Sequence, residues 1–154
     1  MLSIVEAIKT GELQCVRTLF EEYAAALDFD LCFQNFDAEL ADLPGDYAPP
    51  KGCLLLALQD GQSAGCVALR GLAEDICEMK RLFVRPAYRG LGIGKALAET
   101  IIVEARRRSY KKMCLDTVPT MQEAQTLYES LGFQDTEPYR YNPVCGTRFM
   151  ALAL

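Results

Sequence analysis

Apolar residues recur along this chain at two alternating spacings. Leu13, Val16, Phe20, Tyr23 and Leu27 step by three and four, which predicts a helix from Glu12 to Leu27 with one buried face. Ile4 to Ile8 before it reads as a short strand, broken by Gly11. A second short helix is expected from Phe36 to Leu43, stopped by Pro44-Gly45. Cys53 to Leu58 and Ala64 to Arg70 are compact apolar runs of strand length, and Asp60-Gly61 between them suits a hairpin turn. Ile76 to Val84 is a third such run, closed by Pro86, which cannot donate to a central ladder. Helical spacing returns from Ile93 to Ser109, through Ile93, Ala96, Leu97, Ile101 and Ala105. Met113 to Thr117 is the next strand. Thr120 and Glu123 have the spacing of a capping box, opening a helix with Ala124, Leu127, Tyr128 and Leu131 on one side. Gly132 supplies its left-handed cap. Phe133 begins a strand, and Thr147 to Leu154 is the last. The element order is β-α-α-β-β-β-α-β-α-β-β.

The stretch from Glu78 to Ser109 carries the strongest chemical signal. Between its strand and its helix lies Arg89-Gly90-Leu91-Gly92-Ile93-Gly94-Lys95. Alternating glycines let the backbone turn tightly and approach a ligand closely. The free N–H groups at the helix start, with the helix dipole behind them, form an anion site suited to phosphate or pyrophosphate. Arg89 and Lys95 flank it with full charges. The spacing G-x-G-x-G differs from the dinucleotide fingerprint, and Ala96 lacks the hydroxyl that a Walker A loop places on magnesium.

Composition narrows the classes. With 154 residues, half of them hydrophobic and a quarter charged, the chain suits one domain spanning 1–154. No apolar run reaches the ~18 residues of a membrane helix, and no signal peptide is visible. The seven cysteines are odd in number and form no C-x-x-C, so they read as small core residues in a reducing compartment, the cytoplasm. Histidine is absent, which removes His-based triads and the usual zinc sites, so no metal is expected. Residues 1–50 hold two cations against ten acids, and the rest of the chain is slightly basic. An overall charge of −5 disfavours nucleic acid as a partner, and nothing points to a membrane.

Arg-Gly-x-Gly-x-Gly, after a strand ending in Val-Arg-Pro, resembles the acetyl-CoA motif of the GNAT acyltransferase superfamily. Ala124-x-x-Leu127-Tyr128-Glu129-x-Leu131-Gly132-Phe133 is similar to the same superfamily's A-x-x-L-Y-x-x-x-G-F helix. The resemblance is strong from Glu78 to Phe133 and weaker before Cys53. It implies an α/β fold of the α+β, mixed-sheet kind, strongly twisted and opened between the fourth and fifth strands. The implied protein is a small single-domain, bacterial-type N-acetyltransferase with acetyl-CoA as co-substrate. Homodimers are common in the superfamily.

The resemblance also implies roles. Backbone groups of Leu82, Phe83 and Val84 would hold the pantetheine arm. The diphosphate would rest on the amides of Arg89, Gly90, Leu91, Gly92, Ile93, Gly94 and Lys95. Tyr128 is the candidate acid for the departing thiolate, since a phenol pKa of ~10 lies close to that of a thiol. Glu78 is the candidate base for the amine. A carboxylate among Ile76, Cys77 and Met79 should have a raised pKa, although a strand-end glutamate paired with Lys80 is the rival reading. Lys80 and Arg81 are adjacent cations in a central strand, which places them on opposite faces barring a bulge. Either one holds an acceptor carboxylate, or the pair serves an internal ion pair with Glu78 or Asp116. Asp116 and Thr117 face the expected cleft, and Tyr139 and Asn142 lie in the polar loop Pro138 to Pro143 that closes over it. Met121 stands where the superfamily often has an asparagine contacting the CoA arm. An acidic first third favours a cationic amine, and Lys80 and Arg81 favour a carboxylate, so an amino-acid-like acceptor satisfies both. An acyl-CoA-binding module with little catalysis and a protein-lysine acetyltransferase remain as alternatives.

Overall fold

The computed structural model describes residues 1–27, 30–31 and 35–154. Seven strands form one sheet in the spatial order β1-β2-β3-β4-β5-β7-β6. They are β1 (Leu2–Glu6), β2 (Cys53–Gln59), β3 (Gln62–Gly71), β4 (Ile76–Val84), β5 (Lys112–Thr117), β6 (Gln134–Asp135) and β7 (Arg148–Ala153). The helices are α1 (Thr10–Ala26), α2 (Phe36–Asp42), α3 (Ile93–Arg107) and α4 (Gln122–Ser130). All neighbouring pairs are antiparallel except β4–β5, so the sheet is mixed as expected.

Alternation along β2 divides the core. Cys53, Leu55 and Ala57 join one cluster, with Ile93, Leu97, Ile101 and Ala105 of α3. Leu54 and Leu56 point the other way and join Val16, Leu19 and Phe20 of α1. The period of two along the strand thus assigns one helical layer to each face of the sheet.

Several boundaries differ from the sequence pattern, among them the first strand, expected over Ile4 to Ile8 and observed over Leu2–Glu6. Helix α1 begins at Thr10, before Gly11, because the Glu12 carboxylate reaches back to accept the amides of Ile8 (3.2 Å) and Lys9 (3.1 Å). The capping box at Thr120 does not form. Met121 occupies the cap position of α4, and no side chain bonds the helix start. The strand expected from Phe133 contracts to two residues, because only Gln134 and Asp135 find partners on β7. Cys32 lies outside the described residues; the other six cysteines are free thiols, four of them buried.

The break that matters for function is in β4. Its ladder to β5 runs only from Ile76 to Glu78, whereas the strand itself continues to Val84. On the opposite side, the register against β3 slips between Cys66 and Ala68, and Arg81 adopts φ 60°. An extra residue at such a bulge bends the strand and re-aims the side chains after it. Gly65 makes the bend compatible with packing. A Cβ there would lie 2.5 Å from the Phe83 carbonyl oxygen. Past Glu78, β4 therefore presents backbone groups toward β5 with no ladder to satisfy them.

Candidate active site

Two cavities flank the bent segment of β4. The larger, about 550 Å³, is lined by Glu39 and Asp42 of α2, Asp46 and Tyr47 after it, Arg70 of β3, Lys80 of β4, and Tyr139 and Arg140 of the loop before β7. The smaller, about 40 Å³, lies where β4 and β5 part, lined by Lys80, Arg81, Leu82, Asp116, Thr117, Met121, Tyr128 and Asn142, among others. Tyr128 sits at the second of these because α4 packs its tyrosine inward, tilted against Phe133 at 5.7 Å. Burial pushes its hydroxyl above the usual phenol range, and Tyr23 and Asp116 push the same way. The group therefore stays protonated at neutral pH. Among the described residues no hydrogen bond ties that hydroxyl, which leaves it available to a ligand in the gap.

The glycine turn lies at the end of β4. Gly90 and Gly92 have φ of 81° and 79°, which side chains adopt only with strain, and Gly92 is the cap of α3. Among the described residues, the first amide here to find a backbone acceptor is that of Ala96, on the Gly92 carbonyl (3.0 Å). The amides from Gly90 to Lys95 precede it at the positive end of a 15-residue helix. The donor set suits a diphosphate. Arg89 and Lys95 are exposed beside the turn, and Arg89 donates from Nε to the Val84 carbonyl at 3.0 Å.

The larger cavity is built from side chains. Glu78 is fully buried. Its Oε1 accepts from Arg70 Nε at 2.7 Å and from the Arg140 guanidinium, and its Oε2 accepts from the Tyr139 hydroxyl at 2.6 Å. Burial by itself raises a carboxyl pKa, as the sequence suggested. Here Lys80, Arg140, the Tyr139 hydrogen bond and Arg70 outweigh it, and the net shift is downward. The raised pKa expected of Glu78 is thus reversed, because three donors from β3 and the closing loop converge on it, with the Lys80 charge beside them.

Lys80 and Arg81 separate in role. Arg81 is held by Glu39 through two hydrogen bonds of 2.9 and 3.0 Å, and its guanidinium lies over the rings of Tyr23 and Phe36. Neither Glu78 nor Asp116 is its partner. The Lys80 ammonium has no hydrogen bond or ion pair among the described residues, although the side chain is buried. Burial and the neighbouring Arg81 push its pKa down to about 7, with Glu78 opposing. Asp116 accepts from the Asn142 amide at 3.1 Å, joining β5 to the closing loop. Thr117 Oγ1 and Arg140 Nε are buried without a hydrogen-bond partner among the described residues.

Sequence reasoning did not single out Arg70, Arg140, Glu39 or Tyr23 as site residues. Arg70 had a signal. It follows an apolar run of strand length just before the turn into β4, and it is the Cα partner of Glu78. The others had none, since Arg140 meets a carboxylate 62 positions away and Arg81 one 42 positions away.

Comparison with known proteins agrees with this geometry. The model of the acetyltransferase (GNAT) family matches residues 15–133. An uncharacterized N-acetyltransferase of Schizosaccharomyces pombe is 40% identical over 97% of this chain and 94% of its own length. The N-acetylaspartate synthetase of Rattus norvegicus is 38% identical over 98 residues, covering 62% of this chain and 33% of the synthetase. Among solved structures, an acetyltransferase from Streptococcus agalactiae superposes with a TM-score of 0.80 at 22% identity, covering 99% of this chain and 98% of that one. The PaiA N-acetyltransferase of Thermoplasma acidophilum, solved with coenzyme A, superposes at 0.76 and 15% identity over 100% and 99% of the two chains. With the broken β4–β5 ladder, the glycine turn at its end and the inward tyrosine of α4, these matches identify the chain as a member of the GNAT family of acetyl-CoA-dependent acetyltransferases.

Proposed function

We propose that this enzyme acetylates the primary amine of a small, amino-acid-like acceptor by direct transfer from acetyl-CoA. The observation that carries the acceptor class is the charge pattern of the 550 Å³ cavity. Arg70 and Arg140 both line its wall, and two guanidinium groups there suit a carboxylate. Glu39, Asp42 and Asp46 line the same cavity and favour a cationic amine. The name of the rat relative, an N-acetylaspartate synthetase, also suits an amino-acid acceptor.

In this reading acetyl-CoA lies along Leu82, Phe83 and Val84 with its diphosphate on the amides from Gly90 to Lys95; the Arg89 amide, expected in the same set, already donates to the Pro86 carbonyl at 3.3 Å. Tyr128 protonates the thiolate. Asp116, Thr117, Tyr139 and Asn142 orient the acceptor. Glu78 positions Arg140 and Tyr139 rather than taking a proton, because its lowered pKa makes it a weak base. Arg81 fixes α2 to the sheet through Glu39. Six free thiols suit the cytoplasm.

The test is thiol release from acetyl-CoA with amino acids, the matching decarboxylated amines and lysine peptides. Amino acids should turn over, with kcat/KM at least about tenfold above their decarboxylated analogues, as loss of a charge-assisted hydrogen bond implies. Equal rates with both would overturn the carboxylate reading. Faster turnover of peptides would replace it with protein acetylation.

A further inference from the structure

Among the described residues, Lys80 is the one that lines both cavities. The acceptor amine and the thioester must meet between those cavities, so any group that touches both sides stands beside the reacting atoms. The charges around it are arranged unusually. Glu78 and Arg81 share its strand, Arg70 faces from β3, and Arg140 and Tyr139 face from the closing loop. Glu39 comes from α2, Asp116 from β5 and Tyr23 from α1. The carboxylates in this set are largely occupied. Glu78 already accepts from Arg70, Arg140 and Tyr139, Glu39 holds Arg81, and Asp116 holds Asn142. Lys80 is left with cations on either side and no ion pair. Buried lysines in such surroundings give up their proton readily and serve as bases.

We propose that Lys80, in its neutral amine form, is the general base that deprotonates the acceptor ammonium. This rests on the transferase reading above and deepens it. The proton passes from the acceptor nitrogen to Lys80 Nζ, and the freed lone pair forms the bond to the thioester carbonyl carbon. The C–S bond breaks with its electrons going to sulfur, which takes a proton from the Tyr128 hydroxyl. The nitrogen's second proton, shed as the amide forms, restores Tyr128, and Lys80 releases its own proton to solvent through the acceptor cavity. A neutral amine at this point also removes a repulsion that an entering ammonium would otherwise meet.

Two measurements decide the matter. The first needs no turnover. In protein labelled with ¹³C at lysine Cε, the Lys80 resonance is identified by its loss in Lys80→Arg and Lys80→Met and is followed against pH. A midpoint near 7 is expected. A midpoint above about 9.5, close to the free value of ~10.4, overturns the proposal. The second is kinetic. Both variants should lose about 100-fold or more in kcat, the scale of general base catalysis. They should keep the thermal shift produced by acetyl-CoA, and kcat/KM should lose the rising limb that wild type shows through the Lys80 midpoint. Met fills the buried site without a charge, so its fold is expected to hold even where the larger Arg does not fit. If Lys80 only grips the acceptor carboxylate, Lys80→Arg keeps kcat and Lys80→Met changes KM alone, and the base role is overturned while the transferase reading stands. If wild type acetylates no amine, the transferase reading falls and takes the base role with it, whatever the midpoint.

Discussion

The donor side and the acceptor side of this site are made of different material. On the proposed donor side, the groups on offer are backbone: the unpaired stretch of β4 after Glu78 and the amides of the glycine turn. On the proposed acceptor side the groups are side chains, and Glu78, Arg81 and Asp116 are held by partners from other segments, whereas Lys80 is not. Backbone recognition tolerates substitution so long as φ and ψ are kept. Side-chain recognition fails when any member of the network is lost, because the remaining members are buried charges.

Variants on the two sides should therefore fail in different ways. The largest effect is expected of Tyr128→Phe, which keeps the ring against Phe133 and removes only the hydroxyl. Turnover should fall about 100-fold or more, with KM for acetyl-CoA unchanged. Unchanged turnover would remove Tyr128 as the acid and leave the donor side without a catalytic side chain. Arg140→Met comes next. It should raise KM for the acceptor by roughly 10- to 100-fold, the worth of a hydrogen bond to a charged group, and leave acetyl-CoA affinity alone. A matching rise in the KM for acetyl-CoA would show that the two sides are not separable.

Gly92→Ala probes the donor side through the backbone. Alanine at φ 79° costs about 1–2 kcal/mol, so the melting temperature should fall and KM for acetyl-CoA should rise, with acceptor KM kept. The smallest effect is one of pH on stability. Glu78 has a lowered pKa in the folded state, so it binds fewer protons there than in the unfolded chain. Its stabilisation is complete above the unfolded value of ~4.3 and fades as pH falls through the folded one. In denaturant titrations Glu78→Gln should flatten the acid limb of stability relative to wild type. An unchanged limb would mean that the carboxylate network contributes nothing to folding.

The sequence made the donor side largely legible. Local signals specify it: a strand run ended by Pro86, glycines at alternate positions, and helical spacing from Ile93. All of these act over a few residues, and the observed strand Ile76–Val84 and the start of α3 at Ile93 fall where the pattern places them. The tyrosine of α4 was equally visible as one position of an inward face. The capping box at Thr120 shows the limit of such signals. The spacing is right, yet the chain enters α4 one residue later, at Met121.

What only the tertiary structure decided is where the charges go. Adjacent cations in one strand gave a two-way choice of partner, Glu78 or Asp116, and the fold chose neither for Arg81. A bulge at Arg81 turned that side chain toward α2, where Glu39 waits 42 positions away in sequence. The pKa of Glu78 could not be read from its apolar neighbours along the chain, because the charges and donors that lower it come from β3, from β4 itself and from the closing loop. Local backbone preference acts between neighbours and is written in order along the sequence. Electrostatic environment sums over everything within a few ångströms in space, and that neighbourhood exists only once the chain has folded.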